Sequence, residues 1–197
     1  APLTNIAQAF QASPDTMNKV NRIVAMGGWF NDESGNIARL GYNLAVDLEA
    51  SKIVLEQNKV PVFIVSSELC KSFILSDSER EELVTLKGKS IFGQALTEDM
   101  QTYCENKVPA KAPLGMADVL TNYIALHPEV VEEMQSVRLT FDKELVKQCI
   151  DMFHPSSKKI IQVTPDPTSN IHIITKLHDQ ENIRRRLVDS IKSIVTE

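Results

Sequence analysis

Cysteine is scarce in this sequence and carries no pattern. Cys70, Cys104 and Cys149 are far apart and odd in number. No Cys-x-x-Cys occurs, so no disulfide framework is indicated; reduced thiols in a cytosol-like, cytoplasmic compartment are expected. No apolar run reaches the length of a membrane span, and no basic segment followed by an apolar one marks a signal peptide. Excess positive charge is also missing. The formal net charge of −5 speaks against a partner bound through nucleic-acid phosphates. The single basic run, Arg184, Arg185 and Arg186, lies among acidic neighbours on a predicted C-terminal helix and reads as a solvated face. Neither nucleic acid nor membrane is therefore an expected partner. His-Glu-x-x-His, Gly-x-Ser-x-Gly, the P-loop and Gly-x-Gly-x-x-Gly are all absent. There is no internal repeat, low-complexity segment or linker.

What is present suits one domain of ordinary size: 197 residues, 43% hydrophobic and 24% charged. Residues 2–11 and 14–20 read as helices, with Thr4 or Asn5 able to cap the first and Pro14 near the start of the second. Residues 22–26 and 60–66 are nearly all apolar and are read as buried strands. Between them, 27–45 read as loop and 46–57 as an amphipathic helix. Apolar strands alternating with helices indicate a mostly parallel sheet flanked by helices, an α/β fold. The stretch 67–127 is helical in pattern, with Ser76 or Ser78 as a cap and a Pro-rich connection at 107–115. Strands are expected within 134–142, 158–166 and 170–177, and a closing helix over 179–196 with Ile183, Leu187, Ile191 and Ile194 on one face.

Few side chains offer chemistry by themselves. His127 beside Pro128 reads as a cap, and His172, between two isoleucines in a strand, as solvent-facing. His178 and Asp179 form a dyad on paper, but Asp179 stands where a helix N-cap is needed. No cysteine has a partner that would activate it. The loop residues Asn5, Gly27, Gly28, Asn36 and Asn43 each admit a turn or capping role. Yet loops at the carboxyl ends of parallel strands are where α/β proteins bind ligands.

In their order along the chain these residues resemble the inosine-uridine nucleoside hydrolase family. The resemblance rests on Pro2-Leu3-Thr4-Asn5, Met26-Gly27-Gly28, Gly35-Asn36, Gly41-Tyr42-Asn43 and Asp47-Leu48-Glu49-Ala50. It continues through VPVFIVSSELCKSFILSDSE and PLGMADVLTNYIALHP. The resemblance implies a nucleoside hydrolase-like domain over 1–197, corresponding to the C-terminal two-thirds of the family's fold. It implies a calcium ion and hydrolysis of the N-glycosidic bond of ribonucleosides. Carried over, Thr4 would offer its backbone carbonyl to the metal, Asp118 would be both metal ligand and ribose contact, and Met26, Asn36 and Asn43 would line the ribose pocket. The expected ligand is a ribonucleoside or another ribosyl small molecule.

The chain departs from the family pattern in three places. The Asp-rich strand end that supplies most metal ligands is not in this sequence, so another chain or a further segment is expected to complete the sheet, with association of copies as a further possibility. The family's glutamate before Phe-Asn is Gly41, and the histidine before the helix aspartate is Ala117. Losing a general acid costs about 10²–10⁴ in rate. Weak or absent hydrolysis by this chain alone is therefore the expectation, with an inactive binding or assembly module as the alternative.

Overall fold

The computed structural model describes residues 1–30, 37–38, 40–57, 59–86, 90–106, 115–142 and 161–196. The chain divides into two compact units, Ala1–Leu69 with Thr121–His178, and Cys70–Leu120 with Asp179–Glu197.

The first unit is built on one sheet. Its strands are β1 (Ile23–Met26), β2 (Ile37–Ala38), β3 (Val62–Val65), β4 (Val131–Phe141), β5 (Ile161–Pro165) and β6 (Ile171–Leu177), in the spatial order β1-β3-β6-β4-β5-β2. The apolar strands β1, β3 and β6 pair in parallel. β4, β5 and β2 extend the sheet by antiparallel pairing. Register decides which side chains share a face. Ile23, Val62 and Ile171 align across the parallel strands, as do Ala25, Ile64 and Ile173 two residues on.

That face carries the main core. Leu3, at the cap of α1 (Thr4–Ala12), and Ala7 within it join that face, with Leu44 of α3 (Tyr42–Ala45) and Ala50 of α4 (Leu48–Lys52). A π-helical turn, Ile53–Gln57, continues α4 and adds Val54 and Leu55. A second short helix, α2 (Pro14–Met17), follows α1 with its proline at the first turn, where no N–H is missed. The opposite sheet face presents Val24, Phe63 and Ile174 to Ile124 and Pro128 around a cavity of about 180 Å³.

Local differences from the sequence expectation have physical causes. The segment 27–45, expected as loop, holds β2 and α3, elements too short to show a period. The expected helix over 46–57 starts only after Asp47, whose Oδ1 accepts the Ala50 N–H at 3.0 Å. No side chain caps α1: Leu3 occupies the cap position and Thr4 is the first helical residue. His172 is not solvent-facing. It stacks on Phe63 with ring centroids 4.9 Å apart, and its Nδ1 lies 3.0 Å from Ser136 Oγ; desolvation lowers its pKa below the usual histidine value. His127 makes no capping bond and instead packs on Tyr123, with Nδ1 3.2 Å from Glu129.

The second unit is helical, with α6 (Asp77–Thr85), α7 (Ile91–Asn106) and α9 (Gln180–Thr196) in mutual contact. Between the units along the chain run α5 (Ser67–Cys70) and α8 (Ala117–Leu126). Ser76 is the α6 cap. It forms a capping box in which its Oγ accepts the Glu79 N–H and the Glu79 carboxylate accepts the Ser76 N–H. The same carboxylate receives the Arg184 guanidinium, which also donates to the Ile74 carbonyl, tying α9 to α6. Arg184 is the main reason the Glu79 carboxyl is lowered to about 2. On α9 the buried stripe is Ile183, Leu187, Val188 and Val195, whereas Ile194, expected inside, is exposed. Asp179 accepts the Asn182 N–H at 3.3 Å, the capping role expected for it rather than a catalytic one.

Candidate functional site

At the carboxyl ends of β1 and β3, four sequence segments converge within the first unit. β1 ends at Met26, and the ladder runs one residue further, with Gly27 N–H donating to the Val65 carbonyl at 3.1 Å. The chain then turns at Gly28, whose φ of +77° favours glycine. Ser67 N–H donates to the Gly28 carbonyl at 2.8 Å, pinning this turn to the start of α5. The Phe30 ring lies over Gly28, and Phe30 N–H donates to Glu68 Oε1. The loop after β1 is thus held on two sides by the residues that follow β3.

The third segment is α3. Gly41 stands at its N-cap in extended conformation, and Leu44 turns inward against Gly27. Asn43 reaches back to the strand end: its Nδ2 donates to the Met26 carbonyl at 3.1 Å and lies 3.4 Å from the Met26 sulfur. Among the described residues β1 is the last strand on its side of the sheet, so this side-chain bond satisfies a carbonyl that no described strand serves. The fourth segment is the start of α1. Thr4 Oγ1 donates to Asp47 Oδ2 at 2.6 Å, while the other Asp47 oxygen caps α4. Asp47 therefore fixes α1 against α4 beside the loop.

The residues expected to form the site are distributed as follows. Met26 and Asn43 are brought together directly. Thr4 stands at the head of α1 with its hydroxyl committed to Asp47. Asn36 lies outside the described residues. Asp118 occupies the first turn of α8, one residue after Ala117, and belongs to the second unit. Three participants escaped the sequence reading: Asp47 as the strut for Thr4, and Ser67 and Glu68 as anchors of the glycine loop. Their signal was present, since Ser-Ser-Glu directly after a buried strand is a strand-to-helix turn with capping potential.

A calcium ion takes six to eight oxygen ligands, mainly carboxylates and carbonyls. Among the described residues no three histidine, cysteine, aspartate or glutamate side chains come together in a way that could hold a metal. The described donor set does not meet that requirement. The described geometry brings the Asn43 amide, the Ser67 hydroxyl and close-packed glycines together at the strand ends.

A family model described as inosine-uridine preferring nucleoside hydrolase matches residues 1–184. No curated protein sequence matches. Among solved structures, a purine-preferring ribonucleoside hydrolase from Gardnerella vaginalis superposes with a TM-score of 0.70 at 19% identity, over 99% of this chain and 59% of that one. An inosine-guanosine nucleoside hydrolase gives 0.68 at 22% identity, over 98% of this chain and 60% of that one. A plant nucleoside hydrolase gives 0.67 at 20% identity, over 100% and 60% respectively. The chain thus spans about three fifths of the length of these proteins.

Proposed function

The chain belongs to the inosine-uridine preferring nucleoside hydrolase family, and on that footing we propose that the carboxyl ends of β1 and β3 form the wall that holds the sugar of a ribonucleoside. The observation that carries the reading is the bond between Asn43 Nδ2 and the Met26 carbonyl. It joins the Met-Gly-Gly and Gly-Tyr-Asn motifs, 17 residues apart, at one strand end. With its amide nitrogen so engaged, Asn43 keeps its carbonyl oxygen to accept from a sugar hydroxyl. Met26 supplies an apolar surface beside it.

Hydrolysis makes further demands. The attacking water must be activated, positive charge developing on the sugar must be stabilised, and the departing base must be protonated or otherwise stabilised. Ala117 and Gly41 offer no side chain for the last two tasks, and the described residues do not assemble a metal site. The reading is therefore a ribosyl-binding portion of a nucleoside hydrolase fold whose own rate of N-glycosidic cleavage is low. The alternative, a module that binds without any cleavage, draws support from the same three observations.

Calorimetric titration with inosine and uridine, run beside an assay for released ribose, tests this. Asn43→Ala should weaken binding about tenfold, the scale of an additional lost polar contact. Ribose release by the chain should be about 10²-fold or more slower than by a family member that has the histidine and the glutamate. Unchanged binding by Asn43→Ala would remove the proposed wall; ribose release at the rate of such a family member would remove the proposal of low activity.

A further inference from the structure

Two serines follow one another where β3 passes into α5, and the structure uses them differently. Ser66 is buried, and its Oγ accepts the Leu69 N–H at 3.3 Å, a capping role internal to the turn. Ser67 fixes the glycine loop through its main chain, N–H to the Gly28 carbonyl at 2.8 Å. Its hydroxyl has no hydrogen-bond partner among the described residues.

That hydroxyl stands beside the close contact between Gly41 and Gly28. A Cβ on residue 41 would lie 3.7 Å from Ser67 Oγ and 3.0 Å from the Gly28 backbone nitrogen. The second distance is tighter than ordinary packing allows, and the opposing atom is main chain, which cannot swing aside. Glycine at 41 is thus what this close approach of α3 to the glycine loop requires. Residue 41 contributes no side chain, and Ser67 Oγ is the nearest side-chain polar atom to its missing Cβ.

We infer that Ser67 Oγ contacts the sugar and determines specificity at this wall, with Gly41 placing no side chain over it; the inference rests on the reading of these strand ends as a ribosyl site. A serine hydroxyl both donates and accepts, and so matches a sugar hydroxyl, which does the same. Asn43 then serves one side of the ligand with an amide oxygen, and Ser67 serves another with a hydroxyl. The pair selects a neutral polyol by hydrogen bonding and supplies no cationic side chain for an anionic one.

The test is inosine titration of four forms of the full chain: wild type, Ser67→Ala, Ser67→Thr and Gly41→Ala. Ser67→Ala should raise Kd about threefold to tenfold, with a melting temperature within about 2 °C of wild type because no hydrogen bond of the hydroxyl to the described residues is lost. Ser67→Thr, which keeps the hydroxyl, should recover most of that loss. Gly41→Ala should weaken binding by crowding the Gly28 nitrogen. Equal Kd for Ser67→Ala and wild type would overturn the inference, and so would weakened binding with a lowered melting temperature that threonine does not restore. If wild type binds inosine and Asn43→Ala weakens it while Ser67→Ala does not, the ribosyl reading stands and this inference alone falls. If wild type binds no ribosyl compound, both fall.

Discussion

Leu44→Ala is expected to destabilise the protein by about 2.7–5 kcal/mol, the range for a fully buried leucine whose cavity collapses only in part. Leu44 is 1% exposed, sits in the main core, and fills the space directly over Gly27. A Cβ on Gly27 would lie 2.8 Å from Leu44 Cγ. Gly27→Ala should therefore cost about 1–3 kcal/mol by overpacking. The double variant places the new methyl in the space the leucine vacates, so its cost should fall short of the sum by about 1–2 kcal/mol. Urea unfolding of the four proteins measures this coupling. Additive costs would show that the glycine loop and α3 do not press on each other. The prediction matters beyond stability, because this contact sets how closely Asn43, on the turn before Leu44, approaches the end of β1.

The second large effect concerns Asp47. Its two carboxylate oxygens divide their work, one accepting the Thr4 hydroxyl at 2.6 Å and the other the Ala50 N–H at 3.0 Å. Asp47→Ala removes an N-cap, worth about 0.5–2 kcal/mol. It also removes a hydrogen bond to a charged group, worth about 1.5–3 kcal/mol. The losses overlap because the groups are neighbours, and a total of about 2–4 kcal/mol is expected. Thr4→Val, which removes only the Thr4–Asp47 bond, should cost about 1.5–3 kcal/mol, less than Asp47→Ala by the share of the cap. Equal losses from the two variants by chemical denaturation would show that the cap contributes nothing.

Much of the sheet was legible because its signal is local. The runs Ile23–Met26 and Val62–Val65 are apolar without alternation, as strands covered on both faces must be. The closing helix was legible from its spacing, although Val188 and Val195 took the buried places expected for Ile191 and Ile194. Of the antiparallel half, β4 and β5 were readable as strands and the two-residue β2 was not; the sequence holds no local statement of which strands neighbour which.

The candidate site was legible only in part, for a different reason. Met26 and Asn43 stood out through an ordered set of motifs, and the structure joins them. Thr4 and Asp47 are 43 residues apart, and nothing in either residue's surroundings announces the other. Ser67 was hidden by its neighbour: two adjacent serines look interchangeable until one is seen to cap a turn and the other to lend its main chain to Gly28. α3 was missed because four residues after a glycine show no helical period. Such short elements take their conformation from what they pack against, here Gly27 and the core beneath it.

The central claim is that a ribonucleoside sits at the carboxyl ends of β1 and β3. Its most direct test is an inosine titration of the ¹⁵N-labelled chain followed by amide chemical shifts. The account predicts saturable changes concentrated at Gly27, Gly28, Gly41, Asn43 and Ser67, with the Asn43 side-chain amide moving among them. A cavity elsewhere in this unit, about 510 Å³ and lined by Lys59, Arg138, Thr168 and Asn170, should stay unperturbed. Changes gathered there, with the strand ends silent, would contradict the account.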